Sequence, residues 1–142
     1  MNSSPREVRG EKQERKGRKM LVLIAHGSRD ERWRQSLMAL TASLETGAPP
    51  GNVELAFMQF EGPTLPEVVE KGAARGVTDF FLLPLFMASA GHVDKDIRPL
   101  VEELRARFPE TSIELLTPIG EDPLFRGLIQ TIADNVPIRG RS

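Results

Sequence analysis

The chain has 142 residues, 39% hydrophobic and 27% charged, with a formal net charge of −1, which suits one globular domain with a sizeable core. It contains no cysteine and two histidines, so disulfides, thiolate metal sites and cysteine nucleophiles are excluded. No stretch approaches the ~20 apolar residues of a membrane span, and no membrane partner is expected.

Residues 1–19 hold seven of the 19 basic residues and three of the 20 acidic ones, with hardly any apolar side chains. Such a segment cannot join a core. It reads as a disordered basic tail, or as sequence upstream of a true start at Met20. It lacks the apolar centre of a secretory signal, so a cytoplasmic protein is expected. The remainder keeps 12 basic and 17 acidic residues, a balance that disfavours nucleic acid as a partner. The folded domain is expected over 20–136, followed by a short tail at 137–142.

From Met20 onward, short apolar runs alternate with stretches of helical period. Strands are expected at 20–25, 53–60, 79–86 and 112–117, and helices at about 30–45, 64–75, 93–108 and 123–135. Asp30 and Thr64 suit N-caps, and Gly76 a helix stop. "GAPPGN" and "FPETS" read as loops. Four β-α units in succession predict an α/β fold of three layers, α/β/α, around a parallel sheet. Right-handed crossovers cover both faces only if the chain reverses across the sheet, so the expected strand order is 2-1-3-4. The first and third strands then lie side by side, with a ligand crevice beyond their carboxyl ends.

His26 ends the first strand in "LVLIAHGSRD", and His92 follows the third in "LPLFMASAGHVDKDIRP". In that order the two histidines face one another across the crevice. Neutral imidazole is a common ligand for late first-row divalent metals and titrates near neutral pH. Two imidazoles make an incomplete site, suited to an ion that is held briefly and given up. The plainer alternative is a helix cap and a surface residue. Histidine phosphatases place arginine immediately before their nucleophile, where this chain has Ala25. The chain also lacks a G-x-S-x-G elbow, a phosphate-binding loop and a dinucleotide fingerprint. Acyl and phosphoryl transfer are therefore poorly supported.

"LVLIAHGSRD", "LAFMQFEGPTLPEVV", "FFLLPLFMASAGHVDKDIRPLVEE" and "IELLTPIGEDPLF" together resemble the small, single-domain form of sirohydrochlorin cobaltochelatase. That family lies within the chelatase superfamily that includes ferrochelatase. The resemblance runs in order over about 21–128 and omits the basic tail. It implies a chelatase fold and insertion of a divalent metal into sirohydrochlorin, for cobalamin or siroheme biosynthesis. Co2+ is the first choice of metal substrate and Fe2+ the second, with Ni2+ in a related pathway; no organic cofactor is implied. A non-catalytic metal or tetrapyrrole carrier using the same cleft is the alternative.

By the same resemblance, His26 and His92 match the family's metal-binding and catalytic histidines, and a homodimer is expected. Several relatives carry glutamate where this chain has Gln59; Glu61 either takes over that role or the role is absent. Inserting the metal releases two pyrrole protons and strips water from the ion. An imidazole can hold the metal on one face, accept a proton and exchange quickly. Arg29, Lys95 and Arg98 lie beside the histidine loops and either pair with the macrocycle's acetates and propionates or are solvated surface charges. Ser28 and Ser89 bind carboxylates or cap helices, and Gly91 belongs to the same substrate-binding loop. Met87 is a candidate wall for the macrocycle, and Phe86 is expected in the core. Leu124, Phe125 and Leu128 serve either an interface or the core.

Overall fold

Continuous apolar runs on the strands, with helices of 3.6 period between them, give a sheet clad on both sides. The computed structural model describes residues 17–44, 52–59, 61–88, 91 and 93–137, the side chains of Val93 and Asp94 excepted. The elements are β1 (Lys19–Ala25), α1 (Glu31–Leu44), β2 (Val53–Phe57), α2 (Leu65–Ala74), β3 (Asp79–Pro84), α3 (Arg98–Arg107), β4 (Ser112–Leu115) and α4 (Pro123–Asn135). A π-helical turn at Val93–Ile97 leads into α3, and a 3-10 turn at Ile119–Glu121 precedes α4. All strand pairs are parallel, in the order β2-β1-β3-β4. This is the order expected from the sequence.

Local signals fix the helix starts. Thr64 caps α2 in a reciprocal box: its side chain accepts from the Glu67 amide, and Glu67 accepts from the Thr64 amide. Asp30 accepts the Arg32 amide at 2.9 Å at the head of α1. Asp122 accepts the Leu124 amide at 2.8 Å at the head of α4. Gly76 stops α2 with φ +98°, a conformation that only glycine adopts without strain.

The strands end sooner than the apolar runs do. Register pairs Ala25 with Phe57 and Ile24 with Pro84. β1 lies between β2 and β3, so its end at Ala25 ends both ladders. At the other end β1 begins at Lys19, which pairs with Asp79. The Arg18 carbonyl accepts from the Thr78 and Asp79 amides, and the Arg18 guanidinium donates to the Arg75 carbonyl at 2.7 Å. Two residues of the segment read as a tail are thus tied to the sheet; residues 1–16 and 138–142 lie outside the described residues. The single helix expected over 93–108 is divided. Pro99 has no N–H for the Lys95 carbonyl and its ring crowds that group, and the widened π turn sits immediately upstream.

The two faces of the sheet are covered unequally. On one, Met20, Val22, Ile24, Phe80 and Leu82 pack with Leu65, Val68 and Val69 of α2 and Val101 and Leu104 of α3. On the other, Leu23, Ala25, Leu55 and Phe57 pack with Leu37, the buried residue of α1. α4 lies toward this second face, lining a cavity with Leu83, and buries no residue along its length.

Candidate functional site

β1 and β3 deliver their carboxyl ends side by side, and the register sets what meets there. Two residues beyond the Ile24–Pro84 pair come His26 and Phe86. Their rings stack with centroids 4.3 Å apart and planes inclined by 27°. Phe86 is buried, while the neighbouring Met87 is 62% exposed. The burial of Phe86 agrees with its expected place in the core.

The loop that carries His26 is held from α1 and from the β2–α2 connection. Trp33 donates its indole N–H to the His26 carbonyl at 2.9 Å. The Ser28 amide donates to Glu61 Oε2 at 3.2 Å. Glu61 Oε1 accepts from Arg34 Nη1 at 2.9 Å, and the same nitrogen donates to the Gly62 carbonyl at 3.0 Å. The Arg34 guanidinium also lies over the Phe57 ring, 5.6 Å from its centroid. Ser28 Oγ accepts the Asp30 amide at 3.0 Å, a turn bond at the entry to α1. That bond leaves the Ser28 hydroxyl proton available to another acceptor.

Across the crevice, the β3 loop is buttressed from beneath. Gly120 donates its amide to the Phe86 carbonyl at 3.0 Å, and a Cβ at Gly120 would collide with the Met87 backbone. Gly91 has φ +82°, and its carbonyl accepts the Lys95 amide at 2.8 Å to open the π turn. Lys95 and Arg98 are exposed on that turn and the first residue of α3, as is Arg29 on the opposite loop. His92 and Ser89 lie outside the described residues. Among the described residues, no three His, Cys, Asp or Glu side chains are grouped to hold a metal ion.

Asp30, at the head of α1 beside the histidine loop, has a perturbed acidity. Hydrogen bonds from the Arg32 side chain first, and from the Arg32 amide second, hold its carboxyl below the ordinary value. Three contributors escaped the sequence reading: Trp33, Arg34 and the stacking role of Phe86. The position of Trp33 and Arg34 in the first turn of α1, just after the histidine loop, was the available signal.

Comparison with known proteins follows the same geometry. Over 81 residues the chain is 32% identical to the sirohydrochlorin cobaltochelatase of Methanocaldococcus jannaschii, covering 57% of each protein. The sirohydrochlorin ferrochelatase of Bacillus subtilis is 26% identical over 72% of this chain and 39% of its own length. Against these two relatives the chain spans less than two thirds of their length. The sirohydrochlorin cobaltochelatase of Sulfurisphaera tokodaii is matched more fully, at 26% identity over 82% of this chain and 92% of that protein. Among solved structures, a putative cobalamin biosynthesis CbiX protein from Marinobacter aquaeolei superimposes with a TM-score of 0.70 at 32% identity, covering 82% of this chain and 92% of that one. The sirohydrochlorin chelatase of Bacillus subtilis subspecies spizizenii, solved with cobalt, shares the fold with a TM-score of 0.68 at 23% identity, over 83% of this chain and 51% of that one. A family model described as CbiX matches residues 20–135, and the chain belongs to that family.

Proposed function

We propose that this protein inserts a divalent metal into sirohydrochlorin, with Co2+ as the first choice and Fe2+ as the second. The observation that carries the reading is His26, seated on buried Phe86 at the carboxyl end of β1, beside the β3 end whose loop leads to His92. The names of the relatives support both metals and the one tetrapyrrole. His26 and His92 hold the incoming ion on one face, and an imidazole nitrogen released as the pyrrole nitrogens take over the ion is free to accept a pyrrole proton. Met87 supplies an adaptable apolar wall. Arg29, Lys95, Arg98 and the hydroxyls of Ser28 and Ser89 receive the peripheral carboxylates, and Gly91 serves the same substrate-binding loop.

A second copy of the chain completes the site in this reading. Among the described residues, the large exposed apolar side chains other than Met87 lie on α1 and on or just beyond α4: Trp33, Met38, Leu40 and Leu44 on the first, Leu124, Leu128, Ile129, Ile132 and Val136 on the second. Such a surface fits an isologous interface. The reaction takes place in the cytoplasm, and no described helix is long and apolar enough to cross a membrane.

Turnover distinguishes this enzyme from a carrier that uses the same cleft. With protein far below the concentration of sirohydrochlorin and Co2+, the absorbance of the free macrocycle should vanish over many equivalents per protein. Loss that stops at one equivalent would make the protein a carrier.

A further inference from the structure

We infer that Glu61 is a positioning residue for His26: clamped by Arg34, it holds the Ser28 amide and so fixes the loop that presents the imidazole. This rests on the proposed role of His26 and assigns Glu61 a place behind it. Both carboxylate oxygens are engaged, one by the Arg34 guanidinium and one by the Ser28 amide. The Glu61 side chain is only 17% exposed and that of Arg34 30%. The arrangement closes on itself, because Arg34 also ties down the Gly62 carbonyl, in the loop that carries Glu61. A carboxylate accepting an amide is a stronger tether than a neutral oxygen, and the guanidinium fixes which way it points. The preceding residue of α1, Trp33, grips the His26 carbonyl, and Phe86 supports the ring. His26 is thus held at its ring, at its own carbonyl and at the amide two residues on. Glu61 is the only one of those three supports that carries charge, and it comes from the β2–α2 connection.

The test compares Glu61→Ala, Glu61→Gln and Arg34→Ala in the full chain, with two readouts. Hydrogen exchange of the Ser28 amide, followed by NMR, should quicken about tenfold or more in Glu61→Ala and Arg34→Ala. In the metallation assay, kcat should fall about 10–100-fold in both, as expected for supporting groups. KM for sirohydrochlorin and the shape of the pH profile should stay as in the wild type, because the proposed reacting groups are unchanged. Glu61→Gln keeps one acceptor oxygen and should recover part of the rate, and the Glu61→Ala/Arg34→Ala double variant should be no worse than either single. Should Arg34→Ala fold poorly with its partner charge left unpaired, Arg34→Met/Glu61→Leu removes both charges together and should show the same fast exchange. Unchanged Ser28 exchange overturns the clamp whatever the assay gives. A wild-type rate in Arg34→Ala beside an inert Glu61→Gln also overturns it, since Glu61 would then be handling metal or proton itself. Fast exchange in the variants of a wild type that metallates nothing would instead remove the proposed function and leave the clamp in place.

Discussion

Phe86 is 6% exposed and lies against the imidazole of His26, so its replacement acts on both packing and chemistry. Phe86→Ala should cost about 3–5 kcal/mol of stability in urea unfolding, as for other buried aromatic truncations. Phe86→Leu keeps most of the volume; it should stay within about 1.5 kcal/mol of the wild type and still lower kcat. A Leu variant with full kcat would show that the stack does not orient His26. Acid acts at Asp30. Its carboxyl is held below the ordinary value by Arg32, so its contribution is complete above that value and is lost as pH falls through the lowered one. Carboxyl NMR should find Asp30 titrating below the exposed acidic residues, and titration at or above them would contradict the geometry. At this scale the sequence exposed the burial of Phe86 and the cap at Asp30, because each depends on its immediate neighbours. The Arg34–Glu61 pair was hidden: its partners are 27 positions apart, and neither periodicity nor a motif links them.

Elements show the same division between local and distant causes. The capping box at α2 was legible as a threonine followed by glutamate three residues later. Thr64→Ala should cost about 1 kcal/mol in urea unfolding, and an unchanged midpoint would deny the cap its role. Strand order was legible too, since right-handed crossovers leave few choices. Strand ends were not, because β2 and β3 stop where β1 stops, and that is a property of the register. The π turn before α3 depends on how Pro99 meets the preceding carbonyls, which apolar periodicity does not record. Gly120 is a further case of close approach invisible in sequence. Gly120→Ala places a methyl group against the Met87 backbone. It should cost about 1–3 kcal/mol and raise KM for sirohydrochlorin as the Met87 wall is displaced. A stable Gly120→Ala protein with unchanged KM would contradict that account of the loop.

Across the whole molecule, one face of the sheet is sealed by α2 and α3 while α1 and α4 leave apolar side chains in solvent. Sedimentation equilibrium should give a dimer for the wild type, and Leu128→Glu/Ile132→Glu should give a folded monomer with little chelatase activity. A wild-type monomer with full activity would remove the second copy from the site. The architecture was readable from the sequence because the alternation of strands and helices has one common solution; the uneven covering was not, since an amphipathic helix looks alike whether its apolar face meets a sheet or a partner. The proposal that His26 and His92 serve a single ion is tested most directly by the initial rate of Co2+ insertion into sirohydrochlorin. His26→Ala and His92→Ala should each remove most of the rate while changing stability by less than about 2 kcal/mol. The double variant should be hardly slower than either single, because groups acting as a unit are not additive. Single variants that keep the wild-type rate, or a double variant whose loss is the product of two independent ones, would contradict a shared site.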